Sequence, residues 1–185
     1  MNQYMIDRMQ IPARDVPALR QKYFQEYGTT LRGLQANHSV DTQDFLAYVH
    51  DVPLSDFIHP DPVQQAVLAA LPFAKLIFTN ADVHHARRVL QVLQLEQYFV
   101  DIIDVNRVEP FCKPNPQAFA IAMDRAGEKD PSRCVMIDDL RHTTRASKDL
   151  GLFSILYGSG SAHPDADAVF ENWRELPAIL EPERP

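Results

Sequence analysis

The sequence predicts an α/β fold in two parts: a helical region over residues 1–60, then a parallel sheet covered by helices over 61–185. Three observations predict it. Before residue 60 the apolar side chains recur only at helical spacing. Beyond Pro62, short apolar runs alternate with amphipathic stretches, as strands joined by crossover helices do. Those runs are continuous rather than alternating, which suits strands buried on both faces of a parallel sheet. The turn-rich stretch His59-Pro60-Asp61-Pro62 separates the parts, because each proline disfavours helix in the residue before it.

Taken in order, residues 4–9 read as a first short helix. A helix over 15–27 carries Val16, Leu19, Tyr23 and Tyr27, and Gly28 is a suitable stop. A short helix is expected over 29–35. Another starts at Asp41, a good N-cap, and runs through Phe45, Leu46 and Val49. In the second part a helix over 63–71 leads to a strand at 75–78. Residues 80–82 open a helix through Val83, Ala86, Val89, Leu90 and Leu93, and a strand over 99–105 follows. Asn115-Pro116 caps and opens a helix that Gly127 closes. A strand at 134–137, a helix at 143–150 stopped by Gly151, and strands at 152–157 and 168–170 come next. A short element at 173–180 ends the domain, and the tail 181–185 is expected to fray.

Composition narrows the function classes. Hydrophobic residues are 45% and charged residues 23%, enough to bury an ordinary core. A net charge of −7 disfavours a nucleic-acid backbone as partner. It leaves small anionic ligands open, since a few local cations or a metal override the global sign. Cys112 and Cys134 have neither a disulfide framework nor metal-ligand spacing. No run approaches the ~20 apolar residues of a membrane span. Residues 1–11 have no continuous hydrophobic stretch, so the expected compartment is the cytoplasm.

Three segments carry the chemistry: Ile77-Phe78-Thr79-Asn80-Ala81, Cys112-Lys113-Pro114 and Val135-Met136-Ile137-Asp138-Asp139. Loops at the carboxyl ends of parallel strands gather in one crevice. There a hydroxyl, an ammonium and two carboxylates make most of a magnesium-dependent phosphoryl-transfer site. Taken singly, Thr79-Asn80 is a helix cap and Lys113 a surface lysine. The adjacent Asp138 and Asp139 are harder to set aside, because two carboxylates repel unless a cation lies between them.

In these segments the chain resembles the haloacid dehalogenase superfamily of hydrolases. The resemblance implies a Rossmann-like core with a helical cap over residues 1–60. It implies that Thr79 and Asn80 bind a phosphoryl group, that Lys113 neutralises its charge, and that Asp138 and Asp139 hold Mg²⁺. The run Tyr27-Gly28-Thr29-Thr30-Leu31-Arg32-Gly33-Leu34, with His85 and Arg88 later, is similar to the pyrimidine 5′-nucleotidase-like group. That similarity implies a small phosphorylated partner such as a nucleoside 5′-monophosphate. Arg32, Tyr27 and His38 are then the cap candidates for contacting the leaving group.

Two departures stand out. The family's acidic motif often continues Asp-Asp-Ser-x-x-Asn, whereas this chain has Asp138-Asp139-Leu140-Arg141-His142-Thr143, which changes the hydrogen bonds behind a metal. The family's first strand, ending Asp-x-Asp and bearing the nucleophile, has no counterpart: Asp7 reads as a solvated helix charge. That strand would be the central one, between the strands ending at Thr79 and Asp138. Its loss is expected to cost several kcal/mol, at roughly 1 kcal/mol per hydrogen bond plus lost burial. The chain is therefore expected to be a truncated, impaired phosphomonoesterase. Otherwise it closes the gap by bringing the flanking strands together or by pairing as a homodimer. A non-catalytic phosphate- or nucleotide-binding regulator is the alternative. A receiver-like signalling domain is disfavoured, because receivers place the acid pair first.

Overall fold

The computed structural model describes residues 1–158 and 160–181; of the tail expected to fray, 181–185, residues 182–185 lie outside the described residues. The N-terminal region is helical: α1 (Asn2–Asp7), α2 (Val16–Tyr27), α3 (Thr30–Asn37) and α4 (Thr42–His50). Thr29 and Asp41 cap α3 and α4 by accepting backbone N–H groups of the first turn. The four helices pack around Tyr4, Met5, Val16, Tyr23, Leu31, Leu34 and Phe45. At Gly33 a Cβ would lie 2.2 Å from the Tyr23 ring, so α2 and α3 meet at a contact only glycine allows. Gly28 ends α2 at φ +80, and a Cβ there would lie 2.9 Å from the Lys113 carbonyl. The turn after α2 therefore rests on the Cys112-Lys113-Pro114 loop. Val105 and Cys112 belong to the same apolar cluster, so the helical region is seated on loops of the second part.

That second part runs α5 (Pro62–Ala70), β1 (Leu76–Phe78), α6 (Val83–Leu93), β2 (Asp101–Ile103), α7 (Pro116–Ala126), β3 (Val135–Asp138), α8 (Arg141–Asp149), β4 (Phe153–Tyr157), β5 (Ala168–Phe170) and α9 (Leu176–Leu180). Asp61, Asp82 and Asn115 cap α5, α6 and α7 with their side chains. Every strand pairing is parallel.

The parallel strands lie in two sheets, β1-β2 and β3-β4-β5, divided at the place where the sequence lacks a central strand. The strands ending at Thr79 and Asp138 have not closed on one another: among the described residues, nothing pairs with the facing edges of β1 and β3. Burial shows the cost. Ile155 at the centre of β4 is fully buried, whereas Val135 of β3 is 45% exposed and all three residues of β1 are half-buried. A continuous apolar run thus signals two covered faces but not two covered edges. Helix α5 spans the split, with Val67 packed near Ile155, Phe170 and Leu176, and Leu68 packed with Leu90, Leu95 and Ile77. Trp173 belongs to both clusters.

Candidate active site

Lys113 and Asp138 meet at the mouth between the two half-sheets. The Lys113 Nζ donates to Asp138 Oδ2 at 2.5 Å and lies 5.3 Å from the centroid of the Phe78 ring. Both residues are about nine-tenths buried. The other Asp138 oxygen, Oδ1, accepts the Leu140 N–H at 2.9 Å, which aims the carboxylate as β3 turns toward α8. Asn80 fixes the lysine from behind: its Oδ1 accepts the Lys113 N–H and its Nδ2 donates to the Lys113 carbonyl, both at 2.9 Å. Both ends of that amide are engaged by backbone, so Asn80, expected on the phosphate, positions the lysine loop instead. Thr79 lies one residue earlier, where its Oγ1 accepts the Ala81 N–H at 3.0 Å and its proton has no partner among the described residues. Asp139 is exposed beside the pair.

The three cap candidates separate. Arg32 is only 7% exposed. Its guanidinium donates to the carbonyls of Phe111 and Val105, to Gln35 and to Glu109, at 2.7 to 3.2 Å. With its fork engaged, it clasps α3 to the 105–111 loop rather than standing open to a ligand. His38 shares a 2.8 Å hydrogen bond with the Tyr23 hydroxyl, and so braces α2. Tyr27 differs: it lines a groove beside the lysine loop, with its hydroxyl accepting from Asn37.

The model of the haloacid dehalogenase-like hydrolases matches residues 3–151. The chain belongs to that family. Among curated proteins it is similar to "Phosphate metabolism protein 8" of Saccharomyces cerevisiae, 28% identical over 153 residues, covering 75% of this chain and 48% of that protein. The chain thus spans about half the length of that relative. Solved structures share the fold. L-2-haloacid dehalogenase from Xanthobacter autotrophicus superposes with TM-score 0.63 at 16% identity, covering 93% of this chain and 87% of that one. A HAD phosphatase from Thermococcus onnurineus gives 0.62 at 17%, with 100% and 88% covered. A predicted phosphoglycolate phosphatase from Haemophilus somnus 129PT gives 0.62 at 17%, with 80% and 71% covered. Membership removes the receiver-like reading. No helix among the described residues is long and apolar enough to cross a membrane.

In this chain Asp138 and Asp139 are the residues that could hold a metal. Among the described residues no three histidine, cysteine or acidic side chains form a ligand cluster. Two neighbouring carboxylates do not fit zinc, which takes a closed set of nitrogen and sulfur ligands. They fit Mg²⁺, which keeps several waters and is held by one or two carboxylates together with phosphate oxygens.

A second polar cluster, not read from the sequence, ties α4 to α6. His50 Nδ1 lies 2.5 Å from Asp82 Oδ2, and the His50 and His85 rings stack at 4.0 Å. Arg88 donates to the carbonyls of His50 and Val52, both at 2.9 Å. The signal was available only as separate residues, since thirty-two positions part His50 from Asp82. Burial and then the His50 charge push the His85 imidazole below its ordinary value of 6.5, against the pull of Asp82. Burial raises the Asp82 carboxyl, but the His85 N–H, the His50 ring and the His84 N–H outweigh it and hold it low. Both groups are depressed, so the stability they add is fully present above their ordinary values and lost as pH falls through their folded ones. Urea midpoints are therefore expected to fall from about pH 7.5 toward about pH 5. His85→Gln should flatten the upper part of that profile, and an unchanged profile would contradict this account.

Proposed function

We propose that the chain carries the phosphate-handling site of a Mg²⁺-dependent phosphomonoesterase of pyrimidine 5′-nucleotidase-like type. Its partner is a small phosphorylated metabolite such as a nucleoside 5′-monophosphate. Residues 1–60 form the cap and 61–185 the core. The observation that carries this reading is the buried Lys113–Asp138 pair at the carboxyl ends of parallel strands. A fixed ammonium there meets charge on a transferring group without reorganising at the moment of reaction. Asn80 holds the lysine loop so that the ammonium is already aimed. Thr79 contributes a free hydroxyl proton toward a phosphoryl oxygen. Asp138 and Asp139 would hold Mg²⁺, which when bound polarises the phosphoryl oxygens and offsets their charge. The yeast relative, a protein of phosphate metabolism by name, agrees with a phosphate ligand.

Turnover is a separate matter. In-line attack on phosphorus by an enzyme carboxylate needs an acid besides the two that hold the metal, and none clusters with them among the described residues. The site therefore binds phosphate and Mg²⁺ without efficient hydrolysis. Wild type and Asp138→Ala are expected to hydrolyse p-nitrophenyl phosphate equally slowly. Calorimetry in Mg²⁺ buffer should show inorganic phosphate binding to wild type and none to Lys113→Ala. Hydrolysis that needs both Mg²⁺ and Asp138 would overturn the second claim. Absence of phosphate binding by wild type would overturn the first.

A further inference from the structure

We propose that the stacked His50 and His85 rings form an acid-sensitive clasp, which releases α4, and one side of the helical region with it, from α6 when His85 gains a proton. The clasp joins the last residue of α4 to the first turn of α6. Its rings are nearly parallel, with planes 16° apart and centroids 4.0 Å apart. His50 Nδ1 donates to Asp82 Oδ2, while the other Asp82 oxygen accepts the His84 and His85 N–H groups. One carboxylate thus caps α6 and holds the end of α4 at once.

Two features make this arrangement intolerant of a charged His85. The first is its Nδ1, which is buried and has no hydrogen-bond partner among the described residues. A neutral ring can leave that nitrogen as a bare lone pair. The protonated ring carries N–H on both nitrogens, and so buries a donor without an acceptor. The second feature is the set of charges around the ring. His50 faces it from α4, and Asp82 and Arg88 from its own helix. With His85 neutral, one carboxylate already serves two cations, and a proton adds a third. Neighbouring acids do not offset it: Asp51, Asp56 and Glu96 are exposed, as are His84 and Arg87 of α6. Asp104, beyond β2, already accepts from Val83, Asn106 and Arg107.

Release at this point reaches beyond α4. The Tyr4 ring of α1 packs edge-on against Phe45, and its hydroxyl donates to Asp44, so α1 moves with α4. The other tie to the second part, Arg32 with Gln35, Glu109 and the carbonyls of Val105 and Phe111, contains no imidazole. Acid therefore frees one side of the helical region and leaves the other held. Burial and the His50 charge keep the His85 imidazole below 6.5, against the pull of Asp82. The clasp is at full strength above that value and weakens as pH falls toward the lower folded one.

The test is native-state hydrogen exchange on the full chain between about pH 7.5 and pH 5, in low urea, with rates corrected for the intrinsic effect of pH. Protection of the α4 amides should fall by up to about tenfold for each pH unit below 6.5, the limit for one proton taken up on opening. Their exchange should depend less on urea than that of the β4 amides, because releasing a helix exposes less surface than unfolding the core. In His85→Gln the α4 amides should lose the acid dependence. An acid dependence that persists in this variant would assign the proton elsewhere and overturn the proposal. A single urea dependence shared by α4 and β4 would overturn it too, since the loss would then be global unfolding. Should His85→Gln not fold, His50→Gln removes the facing charge and should reduce the acid dependence of α4; an unchanged one refutes the clasp.

Discussion

Replacing Arg32 by alanine is expected to lower the unfolding free energy by about 3–5 kcal/mol, the range seen when a buried charge network loses one member. The reason lies in what remains. The carbonyls of Val105 and Phe111 receive no other hydrogen bond among the described residues, so truncation strands two acceptors beneath α3. Each buried orphan costs about 1–3 kcal/mol, and a cavity of guanidinium size is left between them. Against a total of ~5–15 kcal/mol the loss is a large share. Lysine should restore little, because a single ammonium cannot reach Phe111, Val105, Gln35 and Glu109 together as the planar fork does. Urea unfolding followed by circular dichroism gives the answer. A loss below about 1 kcal/mol would mean that Arg32 is not the clasp described here.

The second large effect concerns Lys113 and Asp138. Either single change, Lys113→Met or Asp138→Asn, leaves a charge or its neutral relic in a nearly dry mouth, at an expected cost of about 3 kcal/mol. The double variant should recover more than half of that, because a buried ion pair is seldom more stabilising than the apolar pair that replaces it. A double-mutant cycle would then report a coupling above about 1.5 kcal/mol. Additive losses would show that the contact is incidental. Recovery would show that the pair is a liability for folding and is retained for what it binds.

Local signals were legible in the sequence. Asp41, Asp82 and Asn115 were readable as helix starts because a cap is a contact over two or three residues, and each side chain accepts the backbone N–H groups expected of it. The strand at 168–170 was readable from its apolar run, and Ala168–Phe170 is the strand observed. Helix α8 starts earlier than expected, at Arg141, because Asp138 reaches forward to the Leu140 N–H and turns the chain without a cap of the usual type. The role of Arg32 could not be read at all. Its partners lie up to seventy-nine positions away, and an arginine in a helix reads as a solvated charge until the packing partner is known. The groove that Tyr27 lines is illegible for the same reason: there Phe24 faces His142 across more than a hundred residues. Lys113 and Asp138 meet because strand ends and the loops beyond them converge by topology, while the part played by Asn80 depends on rotamer and reach.

The divided sheet has a consequence for how the molecule moves. Its halves share α5 and Trp173 at one side, and at the mouth the Lys113–Asp138 pair joins the lysine loop to the end of β3. An anion that draws the ammonium away, or a cation that draws the carboxylate, acts on that pair. Amide exchange along the inner edges of β1 and β3 is therefore expected to change when the mouth is occupied.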